Sequence, residues 1–211
     1  GSEMCIRDRL EYEPGSAALR RRFTLSGSAV VRLEEDPDGR GRFARVVEYE
    51  QGLPASGRRD LDGDGRYELR EEYHNGKLAA LVLDQDGNLR PEYRQEFSSE
   101  GTRSEWDYDQ DGVMDSRELE RPGGEVVREY SSRLNGTFDC RAVFRSGRLV
   151  SFQRSGQPLA VSPSSEPTLF WVGGPGGPVE PFLNLSDGLH WIGGRQYFLF
   201  THRGLRYAAP L

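Results

Sequence analysis

The sequence predicts an all-β protein of tandem antiparallel β-hairpins with a C-terminal β cap. Three observations predict it: two interleaved glycine series, period-two alternation between them, and hairpin dipeptides at fixed places in the repeat. Gly15, Gly39, Gly65, Gly87, Gly112 and Gly136 recur at intervals of 22 to 26 residues. Gly27, Gly52, Gly76, Gly101, Gly124 and Gly147 recur at intervals of 23 to 25. The two series lie about 12 residues apart, so each repeat of about 24 carries two turns and two short strands.

The first nine residues, Gly1–Arg9, read as the in-frame translation of a transposon adapter used to prepare sequencing libraries. They are set aside as a processing scar, with the native N-terminus expected to be missing. The repeat domain is expected over residues 10–157, as about twelve strands. Tyr67, Leu69 and Tyr73 alternate with Arg66, Glu68, Arg70 and Glu72; Phe138, Cys140, Ala142 and Phe144 alternate with Asp139, Arg141 and Val143. Such strands bury one face and wet the other. The second glycine series follows an aromatic residue in Tyr49-Glu-Gln-Gly52-Leu, Tyr73-His-Asn-Gly76-Lys-Leu and Phe144-Arg-Ser-Gly147-Arg-Leu. Asn-Gly and Ser-Gly supply the positive φ of tight hairpin turns, and the aromatic and leucine are spaced to meet across the pair. A one-sided sheet must bury its apolar face, so a meander, a twisted open sheet or a solenoid is expected.

Residues 158–181 hold Pro158, Pro163, Pro167, Pro175, Pro178 and Pro181 with two Gly-Gly pairs, and read as a linker. The cap is expected over 182–211, with one hairpin turning at Gly193-Gly194. Repeat arrays need an atypical end to close the core, which accounts for its aromatic residues.

Composition narrows the function. The net charge is −6, with one lysine, Lys77, among 28 basic residues, and no basic stripe. Nucleic acid is therefore not an expected partner. No apolar run approaches the ~20 residues of a membrane helix, so no transmembrane segment is expected in this fragment. Cys5 lies in the scar; Cys140 alone rules out a disulfide and reads as a packed strand residue. His74, His190 and His202 stand apart in sequence, and Asn184–Gly188 lacks the G-x-S-x-G of a nucleophile elbow. No catalytic residues are expected.

The chemistry lies in two acidic loops. Asp60–Glu71 places acids at positions 1, 3, 5, 9 and 12 (Asp60, Asp62, Asp64, Glu68 and Glu71) with Gly65 at position 6. Asp107–Glu118 repeats this with Asp107, Asp109, Asp111, Asp115 and Glu118 around Gly112. Calcium takes six to eight oxygens in a forgiving geometry, and a tight turn brings alternate side chains onto one centre. Both match the EF-hand loop D-x-D-x-D-G-x5-E, so two Ca2+ sites are expected. Framed on their own glycines, the neighbouring loops lose the pattern. About Gly39 the acids are Glu34, Asp36 and Asp38, with Arg42 and Arg45 at positions 9 and 12. About Gly87 only Asp84 and Asp86 remain, with Val82 at position 1 and Arg90 at position 9. About Gly136 only Asn135 is left. Those loops are expected to keep the turn and lose the ion.

The likeness to EF-hands stops at the loop, since Gln51–Arg59 is no amphipathic helix. On a strand, positions 9 and 12 rise ~10 Å apart and point to opposite sides, so only one of each pair serves as a direct ligand. Position 9 is nearer the turn. The combination resembles bacterial surface and lipoprotein repeats that join D-x-D-G-D-G-x-x-[DE] loops to MORN-like or YD-like aromatic-x-x-Gly-x-Leu hairpins. That resemblance also favours position 9. It implies an exported, cell-surface or periplasmic, non-catalytic scaffold that binds a protein or polysaccharide. An accessory module of a carbohydrate- or envelope-processing enzyme and a pure structural spacer are the alternatives.

Overall fold

A computed structural model describes residues 6–174 and 178–211, and the chain divides into two compact units, 1–97 and 98–211. Gly1–Cys5 of the scar and Pro175–Gly177 of the expected linker lie outside the described residues.

The first unit is an up-and-down antiparallel meander of β1 (Ile6–Tyr12), β2 (Leu19–Ser26), β3 (Ala29–Glu35), β4 (Arg45–Glu50), β5 (Leu53–Arg59), β6 (Leu69–His74), β7 (Lys77–Leu83) and β8 (Tyr93–Ser98). Ile6–Arg9 extend β1 with their side chains in solvent. The second unit continues the order with β9 (Gly101–Trp106), β10 (Ser116–Glu120), β11 (Glu125–Tyr130), β12 (Cys140–Arg145), β13 (Arg148–Arg154) and β14 (Gln157–Leu159). The all-β meander is as the glycine period predicts. Among the described residues β1 pairs only with β2 and β14 only with β13, so the sheet stays open rather than closing as a barrel.

Turns alternate in kind. One set is tight: Gln51-Gly52, Asn75-Gly76 and Ser146-Gly147 have φ of 51° and 79°, 51° and 75°, and 50° and 76°. Two successive left-handed residues match the right-handed twist of the flanking strands. The register shifts just ahead of these turns, and Tyr73 then faces Leu78 and Phe144 faces Leu149. Tyr49 faces Pro54 instead, leaving Leu53 half in water. The other set opens with a six-residue loop between β1 and β2 and continues as nine-residue loops, which in a meander necessarily share one end of the strands of each unit.

The proline-rich stretch is not the linker that its composition suggests. It holds β14, β15 (Val161–Pro163) and β16 (Leu169–Val172), because Leu169-Phe-Trp-Val172 is a continuous apolar strand between the prolines. β14 stays with the meander, and β15 and β16 join β17 (Gly188–Ile192), β18 (Arg195–His202) and β19 (Leu205–Pro210) in a five-stranded sheet ordered β15-β16-β19-β18-β17. The expected cap hairpin of β17 and β18 is thus only part of a sheet that begins at Val161.

Both hydrophobic clusters found among the described residues lie in the second unit. The larger joins Val126, Tyr130, Cys140, Ala142, Phe144 and Phe152 of the meander to Val172, Phe198, Phe200, Tyr207 and Ala209 of the five-stranded sheet. Burial there pushes the Cys140 thiol up to about 12, out of reach of ordinary thiolate chemistry. The first unit instead buries Leu33, Val46, Val47, Ala80 and Val82 among cross-strand ion pairs. Arg22 meets Glu34, Arg32 meets Glu48, and Arg45 meets Glu35 at 2.5, 3.2 and 2.6 Å.

Candidate metal centre

The nine-residue loops share one backbone. Counting from the first acid, positions 4 and 6 are left-handed throughout: Gly39 and Gly41, Gly63 and Gly65, Gly87 and Leu89, Gln110 and Gly112, Leu134 and Gly136. The φ values run from 51° to 95°. This curl turns amides inward to hold the acids. Gly63 and Gly65 N–H donate to the two oxygens of Asp60 at 2.5 and 2.9 Å. Gln110 and Gly112 do the same for Asp107 at 2.8 and 2.7 Å. Position 3 accepts from the amide of position 5, as in Asp64 to Asp62 at 3.0 Å and Asp111 to Asp109 at 3.3 Å. Position 5 accepts from position 7, Arg66 to Asp64 and Val113 to Asp111, at 2.7 and 2.8 Å.

Position 9 closes the loop. Leu61 N–H donates to Glu68 Oε2 at 2.8 Å, and Tyr108 N–H to Asp115 Oδ2 at 3.0 Å. The second oxygen of each, Glu68 Oε1 and Asp115 Oδ1, is buried with no hydrogen-bond partner. Glu68 is 6% exposed and Asp115 0%. Such an oxygen costs about 1–3 kcal/mol or more when nothing meets it. Asp60, Asp62, Asp64 and Glu68 bring ligand atoms within 4.8 Å of one another, as do Asp107, Asp109 and Asp115. Burial pushes Asp115 up to about 6; the Tyr108 amide opposes this, and the charges of Asp109, Asp107 and Asp111 add to it. The groups fit a hard cation: the donors are all oxygens, with no thiolate or imidazole among them.

The remaining predicted ligands lie elsewhere. Glu71 stands on β6 and is 1% exposed, its carboxylate held by Arg45 at 3.0 and 2.9 Å, by the Tyr73 hydroxyl at 2.6 Å, and by Arg59. Glu118 stands on β10 against Arg128. Asp111 belongs to its loop but not to the group of closest oxygens.

A third group was missed. Asp84, Asp86 and Glu92 also bring oxygens within 4.8 Å, and Gln85 N–H donates to Glu92 Oε2 at 2.8 Å. Asp84 is position 1 of this loop, Asn88 position 5 and Glu92 position 9, so the frame built on Gly87 was two residues out. Leu89, at φ 67°, occupies the place that glycine holds elsewhere, and Gly87 corresponds to Gly63. The D-x-D-x-N spacing ending in an acid at position 9 was the available signal. The loop about Gly39 shifts likewise: Asp36 is position 1, with Gly39, Arg40 and Gly41 N–H on its carboxylate, and Ala44 is position 9.

The loop Ser131–Asp139 is an internal control. Ser132 N–H donates to Asp139 Oδ1 at 2.8 Å, as in the acidic loops, but Ser132 Oγ meets Oδ2 at 2.6 Å. A hydroxyl satisfies the oxygen that Glu68 and Asp115 leave bare.

The histidines are scattered. His74 ends β6, His190 Nε2 lies 2.9 Å from the Ser186 carbonyl, and His202 stacks on Phe144 at 4.2 Å. No protein-family model and no curated protein matches the chain.

Proposed function

We propose that this protein is a calcium-binding, non-catalytic β-repeat scaffold that works outside the cytoplasm, where millimolar calcium suits modest sites. The observation that carries the reading is the pair of buried, partnerless oxygens, Glu68 Oε1 and Asp115 Oδ1, each beside the acids of positions 1 and 3. Calcium at Asp60, Asp62, Asp64 and Glu68, and at Asp107, Asp109, Asp111 and Asp115, would satisfy both oxygens and relieve repulsion among the carboxylates. The resemblance to bacterial surface and lipoprotein repeats supports the same compartment and a role in binding or presenting a protein or polysaccharide. Among the described residues no helix is long and apolar enough to cross a membrane.

Calorimetric titration of chelator-treated protein should count at least two calcium ions, with a third if the Asp84 loop also fills. Calcium at 100 times Kd should stabilise the fold by about 2.7 kcal/mol per site, read as a rise in Tm. Absence of binding at millimolar calcium, with a Tm indifferent to chelator, ends the proposal.

A further inference from the structure

The two acidic loops are near copies, but they touch different things. Position 2 of the first is Leu61, which is 57% exposed. Position 2 of the second is Tyr108, whose ring packs edge-on against Phe198 of β18, centroids 6.4 Å apart at 63°. Tyr108 lies between Asp107 and Asp109, and its amide is the group that holds Asp115 Oδ2. A second connection leaves the same loop: the Asp115 carbonyl accepts the Ser131 amide at 2.7 Å. Ser131 follows Tyr130, whose ring sits 4.8 Å from Phe198 and 4.9 Å from Phe200. In the first loop the corresponding carbonyl, Glu68, accepts the Asp84 amide at 2.9 Å and leads into another solvent-facing loop.

We propose that the cation of the Asp107 loop holds the five-stranded sheet closed over the meander of the second unit, with Tyr108 as the lever, and that the Asp60 loop has no such role. This rests on the calcium reading above. The ion binds only the curled loop, and the curled loop is what presents the Tyr108 ring to Phe198, so a loop that loses its ion and its curl also loses this contact with the closed sheet. Binding and closure are then linked, and each strengthens the other by the same factor. Without calcium the aromatic face of Phe198, Phe200 and Tyr207 becomes accessible, so the ion controls an apolar surface and does more than stiffen a loop.

Hydrogen exchange on the full-length chain tests this, with calorimetric counting of calcium on the same samples. With calcium at ten times Kd, the amides of β18 should exchange about tenfold more slowly than in chelator. Asp109→Asn, at an exposed ligand that leaves the fold intact, should lose that protection with calcium present. Asp62→Asn should keep it. Tyr108→Leu should bind the wild-type number of ions while the calcium dependence of β18 shrinks. If β18 is indifferent to calcium although an ion is counted at the Asp107 loop, the linkage is wrong and the calcium reading survives. Equal loss in Asp62→Asn, or an undiminished calcium effect in Tyr108→Leu, overturns it as well. If Asp109→Asn removes no ion from the count, the calcium reading itself fails at this loop and takes the linkage with it.

Discussion

At the scale of single residues, the division of labour between positions 9 and 12 follows from strand geometry. Glu68 ends a loop and turns its carboxylate into it; Glu71 is three residues on, inside β6, facing three cationic or phenolic donors. Gly57 lies opposite Glu71 in the register, and a Cβ there would stand 2.6 Å from Glu71 Oε2, so this glycine makes room for the carboxylate. Glu68→Gln and Asp115→Asn should therefore weaken calcium binding at their own loops about tenfold or more by calorimetry, while Glu71→Gln leaves it unchanged. Glu71→Gln should instead cost about 1–3 kcal/mol in denaturant unfolding, because it removes the buried carboxylate that the part-exposed Arg45 and Arg59 share. Burial alone would raise the Glu71 pKa, but the bonds from Arg45, Tyr73 and Arg59 outweigh it and hold the group down at about 2. Its contribution is thus complete above the ordinary value of 4.5 and fades as pH falls from there towards 2. Acid titration of stability should show this loss in the wild type and lack it in Glu71→Gln. The acid spacing was legible in sequence; the role of Glu71 was not, because its partners Arg45 and Arg59 come from strands 26 and 12 residues away.

At the scale of loops and strands, glycine was a sound guide to the period and a poor guide to the frame. The curl needs two left-handed positions, and a glycine can mark either. Gly65 and Gly112 stand at position 6 and give the frame correctly; Gly39 and Gly87 stand at position 4 and shift it by two residues, which hides Glu92 where Leu89 takes position 6. A leucine held at φ 67° and 87% exposed is strained without any packing in return. Leu89→Gly should stabilise the protein by about 0.5 kcal/mol in denaturant unfolding, the relieved strain of ~1–2 kcal/mol being partly offset by a freer unfolded chain. The second misreading, the linker, has a similar origin. Pro163 ends one strand and Pro167 lies in the turn before the next, and the apolar run Leu169–Val172 was short enough to be lost among prolines.

At the scale of the whole chain, stability is supplied unevenly. The second unit buries two apolar clusters, whereas the first relies on ion pairs that are worth about 0.2–1 kcal/mol each when exposed. The first unit should therefore depend on the cation more. In chelator, the amides of β5 to β7 should exchange at least tenfold faster than those of β12 and β13, and calcium should narrow the gap. Equal exchange in chelator would show that the ion pairs suffice. The repeat was legible because each turn announces itself locally. The division at Phe97 and Ser98 was not, because it falls inside the repeat and follows from which contacts are dense rather than from any break in composition.

The left-handed pair at positions 4 and 6 persists in every one of these loops, with or without a full set of acids. Backbone shape and acid content are therefore separable. Exchanging side chains such as Ser131 and Ser132 for the Asp84-Gln85 kind would change the acids that a loop carries while keeping the same curl. On the calcium reading proposed above, the number of ions a molecule carries, and at which rungs, can be set rung by rung with the architecture left untouched.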